Sequence, residues 1–438
     1  MLERLFHLEE QGTNVRTEIL GGVTTFMTMA YIVFVNPTVL SGTGMDFGAV
    51  MTATCLAAAV ATLAMGLLAN YPIGLAPGMG ENFFFLTVCL TMGVSWQVAL
   101  AAVFVSGAVF VLLTFLRIRE MIIDGVPAAL KHAIAVGIGL FIAFIGLTGA
   151  GITEKSDTGI AMRLGDLSRT PVILACVGLL FTVTLMARRI KGAILIGIVF
   201  TTALAWIFGL VEWQGLVSTP PSMAPTLFKL DLRGLFDAAM IPVIVIFLFM
   251  AVFDAIGTLI GVSERAGFLK DGKLPRATRA LLADSSGTVV GSLFGTSTVT
   301  AYIESATGVE AGARTGLASV VTGALFVLVL FFSPIVKMVG GGVAVGGGVL
   351  QPITAPALIV VGCLMVGSIR HIDWSDFTEA FPAFLVMIGI PFNWSIADGI
   401  AFGFISYPAL KLLTGRWREA TALVYILGLL FIARYVFL

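Results

Sequence analysis

Fourteen apolar segments, separated by short polar stretches, leave this chain one kind of surroundings in which it can fold. A helix needs about 20 mostly apolar residues to cross a bilayer. Twelve uninterrupted runs of that kind fall near 20–40, 48–68, 97–117, 127–150, 170–187, 192–212, 236–262, 277–293, 312–336, 353–370, 394–411 and 420–437. Two more, at 75–93 and 295–311, are apolar but broken by glycine, proline and polar residues. A shorter piece at 380–392 is too brief to span and is expected to lie in the interface or to re-enter. The reading is an all-α polytopic membrane protein.

Composition closes off the soluble alternative. Charged residues make up 11% of the chain and hydrophobic ones 58%, whereas a soluble domain is about 25% charged. The outer surface must itself be apolar, so the lipid bilayer is the first partner. The 25 basic and 25 acidic residues cancel, which gives no reason to expect nucleic acid. The first twenty residues, MLERLFHLEEQGTNVRTEIL, contain acids and no clean apolar core, unlike a signal peptide. Cys55, Cys89, Cys176 and Cys363 lie in apolar stretches without metal-ligand spacing and read as core-packing thiols.

Basic residues orient the chain, because cytoplasmic loops are enriched in Lys and Arg. Arg4 and Arg16, Arg117 and Arg119, Arg188, Arg189 and Lys191, and Arg265, Lys270, Lys273, Arg276 and Arg279 all fall inside if the N-terminus is cytoplasmic. That makes the protein a multi-pass inner-membrane protein. Lys411, Arg416 and Arg418 disagree, since fourteen segments with both termini inside put them outside.

The two broken segments read IGLAPGMGENFFF over 73–85 and LFGTSTVTAYIES over 293–305. Each is third in its half of seven, and Asn82 and Glu304 are 222 residues apart. The same offset carries the fifth, sixth and seventh segments onto the last three. Seven segments per half force the halves into opposite orientations. Matched interruptions in inverted halves mark the midplane site of a transporter, because non-helical backbone survives at that depth only inside protein.

Ionisable groups at membrane depth are costly and are functional candidates by default. Asp254 sits mid-span in FLFMAVFDAIGTLIG, and Glu304, Glu81 and Asn82 sit in the broken segments. Thr258 lies four residues after Asp254, on the same helix face. Asp284, followed by Ser285, Ser286 and Gly287, reads as a buried strut between helices. Lys131 and His132, at the mouth of the fifth span, read as interfacial. Two carboxylates and an amide can accept from ring N–H groups and donate to ring acceptors, while Phe83, Phe84 and Tyr302 can stack on a flat ring. That inventory suits a planar heterocycle better than a sugar or an anion. The carboxylates can also carry a coupling proton, since leaving water favours the protonated form of an acid. No metal or cofactor is needed. His7, His132 and His371 all lie outside the middle of the spans, so no enzyme constellation emerges.

At these residues the sequence resembles a known family. GGVTTFMTMAYIVFVNP, GLAPGMGENFFF, FDAIGTLIG, FGTSTVTAYIES and GARTGL are similar, in order and nearly end to end, to the nucleobase–cation symporters, in their AzgA-like purine permease branch. The resemblance implies fourteen segments in two inverted repeats of seven, with short strands in segments 3 and 10. It implies a core domain (1–126 and 231–340) and a gate domain (127–230 and 341–438), and elevator-like movement of the core. It implies proton-coupled import of adenine, guanine or hypoxanthine, with Asp254 and Glu304 as the ligand-binding and proton-coupling acids. Thr258, Tyr302, Asn82, Phe83, Thr25 and Ala30 complete the implied pocket, and a second copy of the chain is an allowed partner.

The chain departs from that branch in three places. GMGENFFF replaces the usual GMGLNAFF, Ala251 stands where a second acid is common, and GARTGL replaces GGRTGL. These leave the particular purine open, with uracil, xanthine or urate as alternatives. An anion transporter of related architecture fits less well, because its half-helix N-termini should not be opposed by acids.

Overall fold

The computed structural model describes residues 2–116, 125–155, 162–237, 239–268, 274–345 and 348–437. Arg117, Arg119, Lys270 and Lys273, members of the orienting basic clusters, lie outside them. Among the described residues, eight helices are long and apolar enough to cross a membrane: Val15–Ser41, Phe47–Ala69, Trp96–Phe115, Ala128–Gly149, Thr170–Ala187, Met240–Ala266, Gly316–Gly340 and Ile396–Leu413. Shorter apolar helices at Met79–Met92, Ala193–Ile207, Ala355–His371, Phe377–Phe392 and Ala422–Ala433 pack among them. Many large apolar side chains face outward, Leu180, Ile207, Phe392 and Leu429 among them, as lipid-facing helices require. The four cysteines are free. Cys55 and Cys89 are buried, but Cys363 is exposed on its helix, so it is not the core-packing thiol expected.

The two broken segments meet. Leu75–Pro77 and Val299–Ala301 form an antiparallel pair with Leu75 opposite Ala301, Ala76 opposite Thr300 and Pro77 opposite Val299. The pair is extended by Gly78 N donating to Thr298 O at 2.9 Å and Tyr302 N donating to Gly74 O at 3.0 Å. Two strands at membrane depth leave backbone groups on their outer edges that lipid cannot satisfy. Neighbouring helices supply partners on each side. Thr62 Oγ1 bonds both Leu75 N and Leu75 O, at 2.8 and 2.9 Å. Asp284 Oδ2 accepts from Ala301 N at 2.8 Å, and Thr288 Oγ1 donates to Val299 O at 2.8 Å. Asp284 is thus buried, as expected of a strut, but it braces the strand pair rather than a second helix, and its Oδ1 has no protein partner.

The first long helix is also divided. Val15–Met29 ends at Ala30, and Ile32–Ser41 restarts after Tyr31. Asn36, inside the second piece, donates to Thr54 Oγ1 at 2.7 Å and Thr296 Oγ1 at 2.8 Å, which ties the break to the second broken segment. Around this centre, Ala277–Phe294 packs on Trp96–Phe115 and Phe47–Ala64, and Gly316–Val329 packs on Val15–Met29 and Phe47–Ala64.

The remaining helices pack on one another. Ala128–Gly149 lies against Ala355–Val366, and the two approach through Gly139 and Gly362. A Cβ on Gly139 would stand 2.8 Å from Gly362 O, closer than real Cβ contacts. Small residues at such crossings let backbones come together where dispersion, not water exclusion, holds helices in lipid.

The piece at 380–392, expected to lie in the interface or re-enter, is part of a 16-residue helix, Phe377–Phe392. It packs on Ala128–Gly149 and forms an antiparallel hairpin with Ile396–Leu413. Its first turn carries Glu379, whose charge shortens the apolar run in the sequence. That charge is matched by Lys411 Nζ at 2.7 Å and by the Tyr407 hydroxyl, which donates at 2.8 Å. Lys411, fully buried, also reaches Glu419 at 2.8 Å, and Arg416 reaches Asp376 and Glu419 at 2.7 Å each. Thr421 Oγ1 donates to Gly125 O, so the 411–421 stretch stands at the same end of the bundle as the start of Ala128–Gly149. That common end is where Lys411, Arg416 and Arg418 would lie if Phe377–Phe392 crossed the membrane.

Candidate functional site

A cavity of about 940 Å³ opens between these two groups of helices. Asp254 and Thr258, one turn apart on Met240–Ala266, line it together with Gly80 and Glu81 at the start of Met79–Met92. Ile134, Leu364 and Phe404 form the facing wall. Asp254 opens directly onto the cavity, which Glu81 lines with it. The strand pair explains that convergence. It brings the start of one half-helix and the end of the other broken segment to a common level beside Asp254.

Glu81 is the third residue of its helix, after Gly78 at the cap position. A carboxylate there faces the unpaired N–H groups and the positive end of the helix dipole. Gly78 leaves room for it, since a Cβ at 78 would collide with the Glu81 carboxylate and crowd Thr300. Glu81 thus occupies the half-helix N-terminus that an anion would otherwise use.

Glu304 immediately precedes the short helix Ser305–Glu310, with no capping hydrogen bond from its side chain, and is half-buried. The Tyr31 hydroxyl donates to its Oε1 at 2.6 Å. Tyr31 stands at the break in the first helix, and its ring lies 6.4 Å from that of Tyr302. Tyr302 is buried, with its hydroxyl donating to Pro77 O at 2.5 Å. Asn82 is fully buried. Its Oδ1 accepts from the Ser297 hydroxyl, which links the two broken segments, and its Nδ2 has no protein partner.

Not every expected residue faces this cavity. Glu304, Tyr302 and Asn82 sit behind its wall, around the strand pair. Phe83 is buried edge-on against Phe141, with centroids 6.3 Å apart, and Phe84 packs edge-on against Phe247 at 4.6 Å. Thr25 is buried with its hydroxyl unpartnered and faces Gly308, where no side chain larger than hydrogen fits. Ala30 is buried at the helix break. The flat apolar surfaces beside Asp254 are instead Phe249 and Phe253, whose rings stack at 5.7 Å with planes 8° apart and which both line the cavity. Phe249 also stacks on Phe404 of the facing wall at 6.3 Å. Nothing in the sequence separates them from the lipid-facing phenylalanines of the same apolar helix, although Phe253 precedes Asp254 and Phe249 lies one turn earlier.

The cavity therefore offers acceptors at one level, aromatic faces beside them, and, among the described residues, no group of His, Cys, Asp and Glu able to hold a metal ion. It can bind a flat molecule by its N–H edge and move a proton between carboxylates.

Residues 16–402 match the profile of the Permease family. The chain is 46% identical over 440 residues to the adenine permease AdeP of Escherichia coli, covering 100% of this chain and 96% of that one. It is also 46% identical over 450 residues to the guanine/hypoxanthine permease PbuG of Bacillus subtilis, with 100% of each covered. Among solved structures, the transmembrane domain of a cyanobacterial bicarbonate transporter, BicA, superposes with a TM-score of 0.64 at 14% identity, over 88% of this chain and 97% of that domain.

Proposed function

From a chain that belongs to the Permease family, in its purine branch, we propose a multi-pass transporter that imports purine nucleobases together with protons. The observation that carries this reading is the placing of Asp254, Thr258 and Glu81 on one cavity, with the paired break behind them and stacked Phe249 and Phe253 beside them. Asp254 takes the N–H edge of the base, Thr258 adds a hydroxyl, and the phenylalanines hold the ring face. Glu304, oriented by Tyr31, shares the coupling proton with Asp254. Asn82 offers its unpartnered Nδ2 as a donor to the base or to water beside it. The likeness to a bicarbonate transporter is one of fold, and acids at the site disfavour an anionic cargo.

We assign the chain fourteen segments in two inverted repeats, with Phe377–Phe392 and Ile396–Leu413 as the last two in place of 394–411 and 420–437, which gives up the 222-residue match for the sixth and seventh segments and leaves Ala422–Phe437 outside the repeat. Reciprocal packing supports this. Thr170–Ala187 packs on Ala355–Val366 and Ala193–Ile207, as Phe377–Phe392 packs on Ala128–Gly149 and Ile396–Leu413. The acids all belong to the core (1–126 and 231–340), and the facing cavity wall belongs to the gate (127–230 and 341–438). That division suits transport by sliding of the core against the gate. The N-terminus is then cytoplasmic and the membrane the inner one.

Uptake of labelled adenine, guanine and hypoxanthine by cells carrying Asp254→Asn or Glu304→Gln tests the reading. Each variant should reach the membrane and transport nothing, and a protonophore should collapse accumulation in the parent protein where sodium replacement does not. Full transport after loss of either charge would overturn the assignment. Sodium dependence with protonophore insensitivity would overturn the coupling.

A further inference from the structure

The same cavity has a second chemical character at its open end. Lys131 and His132 reach it from the first turn of Ala128–Gly149, Arg370 and His371 from the turn after Ala355–Val366, and Arg265 from the end of Met240–Ala266. The His132 and His371 rings lie 5.1 Å apart, and Arg370 Nε donates to His371 Nε2 at 3.2 Å. Lys131 Nζ sits 5.5 Å from the centroid of Phe253, the residue before Asp254. Two acids oppose this rim: Glu264 lines it, and Glu310 pairs with Arg265 at 3.4 Å. That pair is more than half exposed on both sides and weakly held, so the Arg265 guanidinium is available to a better anion. Arg370, also exposed, presents the planar fork that suits phosphate.

A transported base needs neither the rim nor a volume of this size. Eleven residues of helix separate Asp254 from Arg265, about 16 Å at 1.5 Å per residue, and Lys131 bridges part of that gap. An acceptor site for a base at one end and a cationic rim at the other match a molecule with a base and a phosphate joined by a sugar. We propose that the cavity also binds purine nucleoside 5′-monophosphates, base at Asp254 and phosphate at Arg370 and Arg265, and that this occupancy blocks transport. The inference rests on Asp254 as the base-binding acid. The rim lies at the end assigned above as cytoplasmic, so the inhibitor is an intracellular nucleotide.

The test is displacement of the best-bound labelled base from purified full-length transporter. Competitors are the matching nucleoside, its 5′-monophosphate and inorganic phosphate, each with and without phosphatidylglycerol vesicles. The monophosphate should displace the base at about tenfold lower concentration than the nucleoside, equivalent to about 1.4 kcal/mol. Arg370→Gln combined with Arg265→Gln should erase that advantage and leave base affinity within about threefold of the parent. Inorganic phosphate should reduce the advantage without displacing the base. A monophosphate no better than the nucleoside, or an advantage that survives both substitutions, overturns the inference. Loss of the advantage only when vesicles are present assigns the rim to lipid headgroups and overturns it equally. If no base binds at all, the base-site reading falls first and the inference with it.

Discussion

The Tyr31 hydroxyl donates to Glu304 Oε1 at 2.6 Å across 273 residues of chain. The contact exists because the first helix breaks at Ala30 and Tyr31 while the second broken segment ends at Glu304. It fixes one face of a carboxylate that would otherwise rotate freely. A hydrogen bond to a charged group contributes about 1.5–3 kcal/mol, or roughly 10- to 150-fold in binding. Tyr31→Phe should therefore weaken base binding by at least about tenfold at unchanged membrane abundance. Retained parental affinity in a binding assay would show that Glu304 does not need this partner.

Asn82 separates two roles that one side chain performs. Its Oδ1 holds Ser297 and its Nδ2 is unpartnered. Ser297→Ala removes only the tie, and should lower thermal stability while leaving the ranking of purines unchanged. Asn82→Ala removes both, leaving a polar edge unpaired at a cost of about 1–3 kcal/mol. Its loss should differ between adenine and hypoxanthine, whose donors and acceptors are arranged differently. Equal losses for both bases, measured by competition, would leave Asn82 as a tie alone.

Much of this centre is legible in the chain itself. Glycine and proline interruptions at matched positions point to Leu75–Pro77 and Val299–Ala301, because a helix breaker inside an apolar run leaves backbone groups that lipid cannot satisfy. Asp254 stands out by its charge in a uniformly apolar helix. Phe249 and Phe253 do not, since a phenylalanine facing a cavity and one facing lipid look alike when the whole segment is apolar. The helix Phe377–Phe392 is hidden for another reason. Glu379 in its first turn and Pro382 and Pro391 within it read as the ends of a short run, and only the buried Lys411 partner shows how the charge is accommodated. Resemblance puts Thr25 and Ala30 at the pocket, while packing sets them against Gly308 and the helix break.

The hairpin makes a prediction about sidedness. With Phe377–Phe392 crossing, Arg418 stands on the same side as the start of Ala128–Gly149. A cysteine at Arg418, in a background lacking the four native cysteines, should react with a membrane-impermeant thiol reagent only in inverted vesicles. Labelling in intact cells would place it outside and withdraw the crossing assignment for 377–392.

The acidic network at the same end should be visible in stability against pH. The Arg416 guanidinium hydrogen-bonded to Glu419, with help from Lys411, holds that carboxyl down at about 2. Arg416 and the Thr378 hydroxyl hold Asp376 well below the usual carboxylate range. A depressed carboxylate stabilises the fold above its ordinary pKa, about 4.3 for Glu, and loses that contribution as pH falls toward the folded value. Melting temperature in detergent should therefore fall from about pH 4.5 down to about 2. Arg416→Gln should melt lower than the parent at pH 7, with the gap closing over that acid range and shrinking in high salt. A gap independent of pH would assign the contribution of Arg416 to packing rather than charge.

The strand pair also sets an order of events when the protein is made. The Leu75–Pro77 backbone has no satisfied ladder until Val299–Ala301 lies beside it. Residue 301 leaves the ribosome only after more than two hundred further residues have been added. Until then the first broken segment cannot rest in lipid with its amides exposed. It must wait in the insertion machinery or behind its early neighbours, with Thr62 as an early companion. Truncation before residue 299 should leave a chain that is inserted but never closed at its centre, and open to quality-control proteases there. The paired centre of the fold is thus closed only once segments from both halves of the chain are present.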